Sequence, residues 1–118
     1  MTTLNNHSVG EHFANRDPSV KATYAAILKV SRQFGPVTED PKKTSIHLNR
    51  RTAFAGIATR KSALVLTVKS PVDVKSPRIT KREQASKNRW HLEIKLEDPS
   101  AIDAEIRALL EQSYAMSE

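Results

Sequence analysis

The hydrophobic period of this chain changes twice, from helical to alternating and back, and that constrains its fold more than any other feature. Between Val20 and Phe34 the residues Val20, Tyr24, Ile27, Leu28, Ser31 and Phe34 share one side of a 3.6-residue helix, with Lys21, Lys29 and Arg32 beside them. Asp17-Pro18 offers an N-cap and a proline at the first helical position, and Gly35-Pro36 ends the segment. From Val37 the period is two. Ile46 and Leu48, then Leu64, Leu66 and Val68, then Trp90, Leu92, Ile94 and Leu96 alternate with polar or smaller residues, predicting three half-buried strands. Thr52 to Thr59 reads as a fourth, after a short turn at 49–51. Arg78 to Thr80 has room for a brief pairing, whereas 81–88 is too polar to assign. Asp98-Pro99-Ser100 repeats the helix-start chemistry, with Ile102, Ile106, Leu109, Leu110 and Tyr114 as the stripe of a last helix.

Helices at both ends of an alternating middle predict an α+β fold: a two-layer domain in which an antiparallel sheet of four to six strands carries N-terminal helices and a C-terminal helix on one face. At 118 residues the chain suits a single domain, here 8–118 behind a flexible tail at 1–7. Ser8 and Glu11 have capping-box spacing for a short helix anchored by Phe13. The uncovered face should present His47, Thr67, His91, Glu93 and Lys95.

With no cysteine, the chain cannot form disulfides, thiolate metal sites or a cysteine nucleophile. Its three glycines, Gly10, Gly35 and Gly56, are too scattered for a phosphate-cradling loop. No serine sits in a nucleophile-elbow pattern, and the acids cluster around the last helix, so hydrolysis has no positive sign. No cofactor is implied. The polar N-terminus lacks the features of a signal peptide, and the uninterrupted apolar runs, Ala63 to Leu66 among them, are only a few residues long, so a cytoplasmic protein with no membrane association is expected.

Charge is unevenly spread. Residues 1–41 carry four basic and four acidic side chains, 42–95 carry fourteen and three, and 96–118 carry one and six. The basic middle places Lys42, Lys43, Arg50, Arg51, Arg60, Lys61, Lys81, Arg82, Lys87 and Arg89 in or beside turns, lining one end of the sheet, where they would reach the phosphates of nucleic acid or another polyanion. The aromatic residues fall on inward positions, so any such binding should be backbone-directed and salt-sensitive. Solvated surface charge is the plainer reading. The alternative site is the open face, where His47, His91 and Glu93 would make a two-histidine, one-carboxylate metal or catalytic site if their strands are neighbours. His7 and His12 read as solvated, and Lys69-Ser70-Pro71 with Lys75-Ser76-Pro77 as a rigid turn. The acidic last helix suits docking on the basic turns, within the molecule or in a homodimer, and a protein partner is the remaining reading.

Lys43-Thr44-x-Ile46, Phe54-Ala55, Leu64-x-Leu66, Arg78, the run from Arg89 to Leu96, Ile102-Asp103 and Tyr114 together resemble a family of small bacterial domains of unknown function. That family occurs alone or behind predicted nuclease-like or "predicted transport protein" regions. The resemblance spans Ser8 to Met116 and departs at Leu109, where tryptophan is frequent, and at Ser113, where alanine is usual. It implies a fold and a cytoplasmic setting and carries no site residues. A non-enzymatic binding or accessory module is the function expected.

Overall fold

A computed structural model describes residues 7–118. Most of the tail expected at 1–7 therefore lies outside the described residues. Six strands, β1 (Thr38–Pro41), β2 (Ile46–Asn49), β3 (Ala53–Thr59), β4 (Leu64–Ser70), β5 (Ile79–Ser86) and β6 (Arg89–Leu96), form one antiparallel sheet in the order β1-β2-β3-β4-β6-β5. Helices α1 (Pro18–Arg32) and α2 (Ala104–Ala115) complete the α+β fold.

Alternation does most of the positioning. Ile46, Leu48, Ile57, Leu64, Leu66, Val68, Leu92, Ile94 and Leu96 point to one side and are buried, as are Val20, Tyr24 and Ile27 of α1 and Ile106, Leu110 and Tyr114 of α2. Every one of these helical residues belongs to the stripes read from the sequence. Phe54 reaches the same core by a register shift opposite Leu48 and Asn49, and packs edge-on against Tyr114 at 5.1 Å between ring centroids.

Two strands carry almost no signal of their own in the sequence: of β5 only the brief pairing at Arg78 to Thr80 is expected, and it forms from Ile79 onward. β5 is an edge strand exposed along its whole length except at Ile79, so no apolar face betrays it. β1 is the opposite edge, four residues ending in a proline, which an edge tolerates. β4 and β5 both pair antiparallel with β6, hence run parallel to each other, and residues 71–78 return across β6 between them. This strap lies on the helical side: Val74 packs on the core, and Arg78 donates to both carboxylate oxygens of Asp103 at 2.8 Å, to Glu105 at 3.2 Å and to the Ala101 carbonyl at 2.8 Å.

The caps depart from expectation at both helices. Asp17 occupies the N-cap of α1 with its carboxylate turned away, accepting from Ser62 Oγ at 2.7 Å and pairing with Lys61 at 3.6 Å. Asp98 caps a single 3-10 turn over Pro99–Ala101, the chain breaks at Ile102, and Asp103 caps α2 by accepting from the Ile106 amide at 3.2 Å. The last helix thus starts five residues later than Asp98 suggests. The Ser8/Glu11 box forms, Ser8 N–H donating at 2.6 Å and Glu11 N–H at 3.2 Å, and leads into a 3-10 turn at Gly10–Phe13. His12 is not solvated: it is 8% exposed, and its Nε2 bonds the Lys42 carbonyl at 2.8 Å.

Ser113 stitches α2 to the sheet. Its buried hydroxyl donates to the Phe54 carbonyl at 2.5 Å and accepts from the Lys69 amide at 2.9 Å, satisfying two backbone groups of β3 and β4. Ser113→Ala orphans both, and the expected loss is about 1–3 kcal/mol in chemical denaturation. Parental stability in that variant would mean the two groups find other partners.

Candidate functional site

Strand order decides which predicted residues meet. The outer row across the sheet reads His47, Gly56, Thr67, Glu93 and Lys81 on successive strands from β2 to β5, and the next row reads Lys69, His91 and Glu83. His47, Thr67, His91, Glu93 and Lys95 therefore all stand on the face without helices, as alternation predicted. They do not converge. β3 and β4 lie between β2 and β6, so His47 and Glu93 of one row stand about 14 Å apart at the ~4.8 Å spacing of strands, and His91, one row along, is farther still. The two-histidine, one-carboxylate site of His47, His91 and Glu93 required neighbouring strands, and the strand order corrects that expectation. Among the described residues no group of three His, Cys, Asp or Glu is placed to hold a metal ion.

The basic residues do not line one end of the sheet either. Successive antiparallel strands send their turns to opposite ends, so Lys42, Lys43, Arg60 and Lys61 sit at one end while Arg50, Arg51, Lys87 and Arg89 sit at the other, with Lys81 and Arg82 on β5. Several are already committed. Lys42 pairs with Asp40 at 2.9 Å, Lys61 with Asp17, and Arg82 with Asp73 at 2.8 Å. Arg50 stacks 4.5 Å over the Tyr114 ring, donates to the Tyr114 carbonyl at 3.2 Å and pairs with Glu118 at 3.2 Å, so the acidic C-terminus docks within the molecule. The side chains of Lys43, Arg51, Arg60, Lys81, Lys87 and Arg89 make no hydrogen bond or ion pair among the described residues.

Both ends hold acids, Glu118 beside Arg50 at the Arg51 end among them, and they differ at Lys69. At the Lys43 end the cations stand beside Asp17 and Asp40, and Glu97 shares a shallow depression with Arg60, Lys61 and Lys95. At the Arg51 end the ammonium of Lys69 is held by Thr52 Oγ1 at 3.2 Å and Ser117 Oγ at 3.0 Å, with no carboxylate paired to it among the described residues. Ser117 is itself fixed, its carbonyl accepting from the Arg51 and Thr52 amides at 3.1 and 3.2 Å. Partial burial and then the nearby charge of Arg89 push the Lys69 ammonium below the ordinary lysine pKa.

Lys69 also borders a trough of about 310 Å3 on the open face. Gly56 and Ala58 of β3 form its floor, and His47, Thr67 and His91 stand around it. The aromatic rings keep to the other side: Phe54, which also borders the trough, turns its ring to Tyr114, and Trp90 packs on the core as its inward register requires.

Residues 9–117 match the profile of a family described as a domain of unknown function (DUF5655). The chain belongs to that family. No curated protein and no solved structure matches it. The match covers nearly the same stretch as the resemblance drawn from Lys43, the Arg89–Leu96 run and Tyr114. Within this DUF5655 domain those landmarks prove to be mainly structural: Leu92, Ile94 and Leu96 are core, and Tyr114 donates to the Pro36 carbonyl at 2.9 Å. Among the described residues no helix is long and apolar enough to cross a membrane.

Two residues of the site are not evident from the sequence pattern. Lys69 lies within a strand rather than a turn, and Gly56 lies in a strand whose alanines blur the alternation. Both were recoverable, because Val65, Thr67 and Lys69 share a face once Leu66 and Val68 are inward, and Gly56 and Ala58 share it once Ile57 is.

Proposed function

We propose that this domain is a non-enzymatic binding module that takes an anionic polymer, nucleic acid foremost, on the Arg51 end of its open face. The observation that carries the reading is the register of β4 and β6, which puts Lys69 opposite His91 and so diagonal to Arg89 on one face: two cations, one of them held by Thr52 and Ser117, with no carboxylate paired to either among the described residues. Like charges kept together raise the free energy of the empty protein, and a bound phosphate would relieve it. Arg51 and Lys87 extend the positive edge on the turns at the same end. Lys43 and Arg60 stand at the other end of the sheet, away from Lys69, and contribute less.

The test is fluorescence anisotropy of labelled single- and double-stranded DNA and RNA across a salt series. The logarithm of affinity should fall linearly with the logarithm of salt concentration. Replacing Arg51 and Arg89 by glutamine should weaken binding several-fold and reduce the slope by about 0.9 for each duplex phosphate no longer neutralised. The same change at Lys43 and Arg60 should do little. No binding at low salt, or equal losses from the two pairs, would reject the proposal.

A further inference from the structure

Gly56 has no structural reason to be glycine. It lies in the middle of β3, with strands on both sides, where glycine weakens pairing and packs nothing. Its φ is not in the left-handed region that favours glycine, and a Cβ built there would meet only the Thr67 Cβ, at an ordinary contact distance of 3.8 Å. An alanine there would satisfy the backbone and the core. What it would fill is the floor of the trough. Glycine inside a strand commonly marks a place where something else comes close to the backbone, and here Ala58 continues the same low floor.

What surrounds the floor says what that something is. His47 stands on one side of Gly56 and Thr67 on the other, two strand spacings or about 9–10 Å apart, which leaves room for a flat ring over the glycine. Imidazole is itself a stacking surface for bases, so the absence of Phe, Tyr and Trp from this face does not leave it without rings. Lys69, held by Thr52 and Ser117, places a cation at one end of the same trough, with His91 opposite it in register. A volume of about 310 Å3 is at the small end of ligand sites, the scale of one nucleotide rather than a folded partner.

We infer that the trough over Gly56 takes one planar ring joined to a phosphate, the ring lying on Gly56 and Ala58 beside His47 and the phosphate at Lys69. This builds on the polyanion reading through the shared anion contact and narrows it: an exposed base must enter the trough, so the preferred polymer is single-stranded. The same chemistry could be presented by a free nucleotide or by a nucleotide within a strand.

The experiment compares a labelled single-stranded DNA with an abasic strand of equal length at low salt, for the parent protein and Gly56→Val, with a nucleoside monophosphate as competitor. Valine suits a strand and fills the floor, and a thermal melt with the Gly56→Ala variant alongside checks that the fold is kept. The parent should bind the base-bearing strand about tenfold more tightly than the abasic one, the scale of one base stacked on a protein surface. Gly56→Val should bring the base-bearing strand down to the abasic level and leave the abasic affinity unchanged, and Gly56→Ala should fall between. Competition by the monophosphate in the parent and not in Gly56→Val would place the free nucleotide in the same trough. Equal affinity for both strands in the parent, or no effect of Gly56→Val, would overturn the inference while leaving polyanion binding intact. If neither strand binds but the monophosphate binds in a Gly56-dependent way, the polymer reading falls and the trough stands. If none of the three binds, both fall.

Discussion

Leu66→Ala should destabilise this domain by about 2–5 kcal/mol, a large share of the about 5–15 kcal/mol by which domains of this size are folded. Leu66 is fully buried at the middle of β4, flanked in register by Ile57 on β3 and Ile94 on β6, with α2 packed over β3 and β4. Removing its branched end leaves a cavity among side chains that strand pairing holds in place, so the site collapses poorly. The neighbouring Val65 is the internal control. It points to the open face and is half-exposed, so Val65→Ala should cost about 1 kcal/mol or less, mainly through strand propensity. Urea denaturation of both variants measures the asymmetry. Equal costs at the two positions would mean that the open face is covered in solution, contrary to the site described above.

Gly35→Ala should cost about 2–4 kcal/mol, from a strained backbone of about 1–3 kcal/mol and a displaced hydrogen bond of about 1 kcal/mol. Gly35 ends the α1 segment at φ +149°, and an added Cβ would lie 2.5 Å from the Tyr114 hydroxyl. That hydroxyl donates to the Pro36 carbonyl, and its ring packs between Phe54, Phe34 and the Arg50 guanidinium, so it cannot move aside alone. The other glycines behave differently. Gly10 faces open space and has no positive φ, so Gly10→Ala should be neutral or stabilise by up to about 1 kcal/mol through the unfolded chain. Thermal or denaturant melts of the two alanine variants should move in opposite senses or differ by several kilocalories. A Gly35→Ala protein as stable as the parent would show that Tyr114 is not pinned.

The buried half of the fold was legible because burial imposes periodicity. Each strand with a clear alternation has one face in the core, and the stripe from Val20 through Ile27 marked α1 for the same reason. β5 was illegible because an edge strand beyond the helices buries almost nothing, leaving Lys81 to Ser86 without a pattern. His12 shows the complementary failure. A histidine next to a tail reads as solvated, and only the return of the β1–β2 turn, bringing the Lys42 carbonyl to its ring, makes it a buried residue.

The candidate site divides in the same way. Alternation alone put His47, Thr67, His91 and Glu93 on one face, since a strand residue's face follows from parity. Whether they meet depends on strand order, which local sequence does not encode: β5 pairs outside β6 rather than beside β4, and two strands separate the histidines. The grouping of the cations is also a matter of topology, because antiparallel turns alternate between ends and acids distant in sequence, Asp17 and Glu118, neutralise some of them. The sequence by itself determined which residues are inside, through the physics of half-buried elements. The tertiary structure alone decided which surface residues are neighbours, because contacts between elements depend on how strands are ordered and connected, and that is fixed by packing the whole sheet at once.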